Sequence, residues 1–138
     1  MFILDTNVVS ELRKASAGKA DVKVTAWATS VPATQMFLAA VSILELEMGV
    51  LSIERRDPTQ GALLRSWMDH HVLTAFAGRV LPFEITVARR CAALHVPNRQ
   101  SDRDAMIAAT ALVHSMTVVT RNVSDFASTG VTLLNPWA

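Results

Sequence analysis

The sequence predicts an α/β domain built on a parallel sheet with helices on both faces. Three observations predict it. Short apolar runs alternate with helical segments along the whole chain, and parallel strands need crossover helices to connect them. At 138 residues, with no internal repeat and no linker-like stretch, the chain has the length of one domain, spanning residues 1–138. At 51% hydrophobic it is too apolar to be disordered.

Phe2-Ile3-Leu4 is an apolar run halted by Asp5-Thr6-Asn7, a helix-start signal, and a helix to about Lys14 follows. A second helix covers Val22 to Thr29 and ends near Pro32. Met36 to Val41 reads as a buried strand. Ser42-Ile43-Leu44-Glu45 then has the form of a capping box, opening a helix to about Glu54. Asp57 followed by Pro58 is a cap with proline at the first helical position, and a long helix to about Ala77 is expected. Val80 to Phe83 is too short to assign as a strand. Ile85 to Leu94 is helical, and Val96 to Gln100 is a loop. Ser101-Asp102-Arg103-Asp104 is a second capping box before the alanine-rich helix Ala105 to His114. Thr117 to Thr120 and Val131 to Leu134 close the sheet.

Composition excludes several classes. The lone cysteine, Cys91, forms no internal disulfide and no CxxC zinc framework, which fits a reducing compartment. With 13 Lys+Arg against 12 Asp+Glu, this is not a broadly basic nucleic-acid-coating chain. The uncharged run Val24 to Leu44 contains Thr25, Thr29, Ser30, Pro32, Thr34, Gln35 and Ser42, too polar for a membrane span. Asp5 interrupts the N-terminal apolar run and no basic start precedes it, so a signal peptide is not expected and the cytoplasm is the expected compartment.

Sites of parallel α/β folds lie beyond the carboxyl ends of the strands. Asp5 follows the first apolar run, Glu45 lies about a turn into the helix after the second, Asp104 opens the helix before the penultimate strand, and Asp125 follows that strand. Taken singly, Glu45 and Asp104 read equally as third residues of capping boxes, and Asp125 as a turn former. Together they bring four carboxylates towards one sheet edge. Two carboxylates 4 Å apart repel by about 4 kcal/mol at an effective dielectric of about 20. Such a cluster calls for a cation, and all-oxygen ligands select Mg²⁺ or Mn²⁺ over zinc. Glu47, two residues from Glu45, is expected to face water, and Asp102 to serve as a cap. Gly49, four residues on, leaves room beside Glu45. Glu11 is read either as a support of the site or as one half of a surface ion pair.

Other chemistries lack their residues. His70, His71, His95 and His114 show no HxH or HExxH spacing, Cys91 has no paired histidine, and no GxGxxG or GxxxxGK[ST] is present. Arg13, Lys14 and Arg121 are the candidates for a basic rim that would hold a phosphate-bearing substrate, and Arg99 and Arg103 flank Asp104. With no tyrosine, a platform for stacking single-stranded bases is poorly supported. Leu63, Leu64, Trp67, Met68 and Val72 on the long helix suit either the core or a partner groove.

Phe2-Ile3-Leu4-Asp5-Thr6-Asn7, Glu45 four before Gly49, Asp104-Ala105-Met106-Ile107-Ala108-Ala109-Thr110 and Thr120-Arg121-Asn122-Val123-Ser124-Asp125-Phe126 together resemble the PIN-domain family. Within it the chain is similar to the VapC toxins of bacterial toxin–antitoxin pairs, nearest the FitB-like branch, from Met1 through Trp137. The resemblance implies a three-layer α/β/α fold and a Mg²⁺- or Mn²⁺-dependent endoribonuclease. It places Asp5, Glu45, Asp104 and Asp125 at acidic site positions, with Asp5, Asp104 and Asp125 holding metal. Thr6, Asn7, Thr120 and Asn122 are the polar residues beside them. It also implies a homodimer and an antitoxin whose C-terminal segment lies across the active-site groove. Leu94 to Ser101 is shorter than the connector expected in FitB-like members.

Rival functions are a PIN-like module that binds nucleic acid or scaffolds without turnover, and a nuclease acting on DNA. A receiver-type phosphoacceptor domain wants a lysine after a late strand, yet every lysine here lies at or before Lys23.

Overall fold

A computed structural model describes residues 1–138. Five parallel strands form the sheet: β1 (Phe2–Leu4), β2 (Met36–Ala39), β3 (Val80–Leu81), β4 (Thr117–Val119) and β5 (Leu133–Leu134). Their spatial order is β3-β2-β1-β4-β5. β1 is central, with Ile3 opposite Phe37 on one side and Val118 on the other. The helices are α1 (Thr6–Arg13), α2 (Val22–Ser30), α3 (Ala40–Arg56), α4 (Pro58–Trp67), the short α5 (Leu73–Ala75), α6 (Ile85–Leu94), α7 (Asp102–Val113) and α8 (Val123–Phe126).

Successive strand residues point to opposite faces, and the core divides accordingly. Ile3 and Val118 are buried against Ile107, Ala108 and Ala111 of α7 and Phe126 of α8. On the other face, Leu4, Leu38 and Val119 are buried against Val8 of α1, Leu46 and Val50 of α3, and Met68 and Val72. Both faces are covered, so the strands are near-continuous apolar runs, as expected for a three-layer α/β/α fold. Cys91 is buried between α6 and α7 with Val87, Ala105 and Ala109, where burial raises its thiol pKa and leaves it a small packing group.

Several expectations are corrected. No loop separates β2 from α3: the helix begins at Ala40, and its N-cap, Ala39, makes no side-chain capping bond. Ser42 is therefore a fully buried helical residue rather than a cap. Val80–Leu81 does form a strand, the sheet edge, through its pairing with Leu38 and Ala39. The long helix after Asp57 is capped as expected, Asp57 accepting from the Gln60 N–H at 3.2 Å, but it widens into a π-helical turn at Met68–Val72. Ser101 precedes α7 without a capping bond, and Asp102 is the first helical residue, paired with Arg99 at 3.1 Å. The connector before it is tied by the Gln100 N–H donating to His95 Nδ1 at 3.0 Å.

α3 and α4 form a tight helical hairpin. Gly61 of α4 is pressed against α3 so closely that a Cβ there would stand 2.4 Å from Glu54 Cα. One turn on, Arg65 reaches back to α3, donating to Glu47 Oε1 at 2.9 Å and to Glu54 Oε1 at 3.0 Å. Glu47, expected to face water, is thus a pairing residue of the hairpin. No helix is long and apolar enough to cross a membrane.

Candidate active site

The strand order reverses direction between β1 and β4, the switch point where open α/β sheets place their sites. Asp5 lies there. Its backbone N–H closes the β1–β4 ladder on the Val119 carbonyl at 2.9 Å, and its side chain caps α1 by accepting from the Thr6 N–H at 2.8 Å. The second carboxylate oxygen accepts from Thr120 Oγ1 at 2.8 Å and from Asn7 Nδ2 at 3.4 Å. Thr120 is in turn held by the Asn122 N–H at 3.0 Å. Asp5 and Thr120 are both buried, so the strand end, the helix start and the β4–α8 turn fix this carboxylate from three sides.

The structure brings the other three acids into the field of Asp5. Burial is the largest cause of the raised Asp5 pKa, opposed by the Thr120 and Thr6 donors and reinforced by the charge of Asp125. Glu45 is also raised, first by desolvation, then by Asp5, with Arg103 opposing. Asp104 is raised by desolvation and then by Asp5 and Asp125. Asp104 stands in the first turn of α7, where the helix dipole offsets part of this repulsion. Asp125 is exposed on α8.

Every candidate ligand is a carboxylate or hydroxyl oxygen, which suits a hard divalent cation. Glu45 Oε1 is buried without a hydrogen-bond partner, an acceptor left for a group outside the chain. No three of these side chains close tightly enough to cage an ion unaided. The arrangement is open, so an ion held here would keep several waters, as Mg²⁺ does.

The basic candidates separate. Arg13 lies over the Trp67 ring, 5.8 Å from its centroid. Lys14 pairs with Glu11 at 3.2 Å, and Glu11 also accepts from the Asp21 N–H at 2.9 Å, so Glu11 ties α1 to α2 and stays out of the site. Arg121 lies over Trp137, 5.3 Å from the ring centroid, while its N–H reaches Asn7 Oδ1 at 3.4 Å. The cation that does stand among the acids is Arg103, 3.7 Å from Glu45 Oε2. Sequence reasoning noted its position beside Asp104 but did not select it, because Glu45 is its neighbour only across the α3–α7 contact.

Two depressions share Arg13 and Trp67, and one of them is lined by Glu45. A cleft of about 320 Å³ is lined by Thr6, Arg13, Glu45, Gly49, Trp67 and Arg103, among others. A larger groove of about 900 Å³ runs between α1 and α4, lined by Leu12, Leu63, Trp67 and Phe76, with Arg13, Lys14 and Lys19 on its rim. The long-helix apolar residues therefore serve both uses: Met68 and Val72 are core, while Leu63 is 62% exposed in the groove.

Thr120→Val is expected to destabilise the fold by about 1–3 kcal/mol, because it leaves a buried carboxylate oxygen without its shortest donor. Urea unfolding should show a lower midpoint at unchanged slope.

A parallel sheet with buried Asp5 at its switch point and three further acids around it defines an acidic α/β site. The family model described as PIN domain matches residues 2–131, and the chain belongs to the PIN-domain family. It is 36% identical over 145 residues to VapC ribonuclease Y4jK of Sinorhizobium fredii, across 99% of this chain and 98% of that protein. It is 33% identical over 142 residues to toxin FitB of Neisseria gonorrhoeae, across 99% of each. The crystal structure of FitAcB from Neisseria gonorrhoeae superposes with a TM-score of 0.89 at 33% identity, covering 99% of both chains. The structure of FitAB bound to IR36 DNA fragment also gives 0.89, at 34% identity, covering 100% of this chain and 96% of that one.

Proposed function

We propose that this chain is an endoribonuclease, the toxin of a cytoplasmic toxin–antitoxin pair, hydrolysing RNA phosphodiester bonds at Asp5, Glu45, Asp104 and Asp125. The observation that carries the reading is Asp5, buried and fixed by Thr120 at the switch point, with its charge raising Glu45 and Asp104 and with Asp125 near enough to raise it in turn. Full-length likeness to proteins named VapC ribonuclease and toxin FitB supports it.

Asp5, Asp104 and Asp125 would hold Mg²⁺ or Mn²⁺, which supplies charge stabilisation at the phosphoryl oxygens and lowers the pKa of a water. Thr6, Asn7 and Thr120 hold Asp5 in one orientation, so little reorganisation is needed during reaction. Asn122 contributes through its backbone, by fixing Thr120. Glu45, whose Oε1 has no partner within the chain and whose pKa burial and Asp5 raise, accepts the proton of the attacking water. The water oxygen forms the new bond to phosphorus, one P–O ester bond breaks, and the leaving oxygen takes a proton from solvent.

The groove between α1 and α4 offers an apolar seat with a basic rim to an antitoxin segment. Leu44, Met48 and Leu51, exposed along α3 at helical spacing, offer a second copy an apolar stripe for a homodimer.

The test is incubation of total RNA with the antitoxin-free protein in Mg²⁺, in Mn²⁺ and in EDTA. Discrete fragments that form with metal and disappear with EDTA are expected. Fragments that persist in EDTA would overturn the metal-dependent reading, and intact RNA throughout would favour a module without turnover.

A further inference from the structure

The 320 Å³ cleft is lined by one of the four acids, Glu45, and by Thr6, which caps Asp5 through its N–H. Its walls carry two arginines from different parts of the fold. Arg13 comes from the last turn of α1 and is steadied by the Trp67 ring at 5.8 Å. Arg103 comes from the first turn of α7 and is steadied by Glu45 at 3.7 Å and by the Met48 sulfur at 3.5 Å. Thr6 and Ser10 add hydroxyls, and Gly49 forms the α3 side of the cleft. A Cβ at Gly49 would meet nothing within 4 Å, so the missing side chain there is open cleft rather than a helix–helix contact.

We infer that this cleft is a subsite for the nucleotide next to the scissile bond of single-stranded RNA, with Arg13 and Arg103 flanking its phosphate. The inference rests on RNA being the substrate, as proposed above. Three features favour it. Planar guanidinium groups recognise phosphate oxygens through paired N–H bonds. The two arginines are already oriented by an aromatic face and a carboxylate, so little side-chain freedom is lost on binding. The cleft also shares Glu45 with the acids, so a strand whose scissile phosphate lies at Asp5 has its next unit at the cleft mouth. A volume of 320 Å³ lies at the low end of ligand pockets, which run about 300–1,000 Å³, and admits one flexible unit rather than a duplex.

The inference is tested by fluorescence anisotropy with a fluorescein-labelled single-stranded RNA of about twelve nucleotides and mixed sequence. All proteins carry Asp104→Asn, so the RNA stays intact, and Mg²⁺ is present throughout. Gly49→Leu fills the cleft from an unobstructed helical position and gains helix propensity, so its thermal melt should match or exceed that of its parent. It is expected to raise Kd about tenfold, the scale of losing one good phosphate contact. Arg13→Gln and Arg103→Gln are each expected to weaken binding and to reduce the log Kd against log salt slope by about 0.7, the single-strand value per neutralised phosphate.

Binding by all three variants within about twofold of the parent, at unchanged slope, would overturn the subsite. If the wild type cuts RNA in that case, the nuclease reading stands alone. If the variants bind weakly as expected but the wild type cuts nothing with any metal, the cleft is an RNA-binding site only, and its assignment beside a scissile bond falls with the nuclease reading. Weakening by Gly49→Leu alone, with both arginine slopes unchanged, would overturn the phosphate assignment and leave a base or sugar as the group the cleft holds.

Discussion

Asp104→Asn is expected to reduce the proposed metal-dependent RNA cleavage at least about hundredfold, since it removes a charge proposed to hold the ion, and to raise the melting temperature at pH 7. The second effect follows from the raised Asp104 pKa, whose main cause is desolvation, followed by Asp5 and Asp125. The folded protein then holds this proton more tightly than the unfolded chain. Stability from the group is fully present below its unfolded pKa and is lost as pH rises through the folded value. At neutral pH the ionised carboxylate opposes folding, and a neutral amide relieves that opposition. The gain at pH 7 is expected to be small, because Asp104 is partly exposed and solvent screens the repulsion. The gain should shrink as pH falls towards 4. Mg²⁺ should raise the melting temperature of the wild type more than that of the variant. A variant that melts below the wild type at pH 7 would show that Asp104 is not under electrostatic strain. Such a trade of stability against activity is common where like charges are gathered for function.

Gly61→Ala is expected to lower stability by at least about 2 kcal/mol, within or above the usual overpacking range. The added methyl would stand 2.4 Å from Glu54 Cα and 2.8 Å from Glu54 N, and backbone atoms in a helix cannot step aside as a side-chain tip can. The hairpin would have to open, straining the Arg65 bonds to Glu47 and Glu54 one turn away. Gly49→Ala is the internal comparison. It makes the same chemical change in the neighbouring helix, meets nothing within 4 Å, and should be neutral or stabilising by up to about 1 kcal/mol. Thermal melts of the pair should move in opposite directions. Equal shifts would mean that α3 and α4 are less tightly apposed than the structure shows.

Most of the architecture was legible where local chemistry and burial agree. Phe2-Ile3-Leu4 followed by Asp5 is both an apolar strand and a helix cap, and Asp57-Pro58 caps α4 as its sequence predicts. Ser42 misled because a capping box is a local pattern, whereas Ala39 and Ala40 carry the chain from strand to helix with no intervening turn. Val80 and Leu81 are a strand only because β2 lies beside them; two residues carry no period of their own. The widened turn at Met68–Val72 lies within a helical pattern that continues on both sides. The four acids stood out in the sequence because each lies just past an apolar run or within the first two turns of a helix. The arginines could not be sorted in the same way. Lys14 and Arg121 are drawn to Glu11 and Trp137, and Arg103 to Glu45, pairings decided by the packing of whole elements.

Arg13 and Trp67 each line two depressions, the cleft beside Glu45 and the apolar groove between α1 and α4. A single Arg13–Trp67 pair is therefore shared by the two surfaces proposed above for RNA and for an antitoxin segment. A polypeptide seated in the groove that moved the Trp67 ring would also free or move the Arg13 guanidinium over it, and would change the proposed cleft without covering the carboxylates. Linkage makes the effect mutual: whatever factor such an occupant takes from RNA affinity, RNA takes from the occupant. Inhibition of this kind would be graded by affinity and reversible by substrate, a dial rather than a plug.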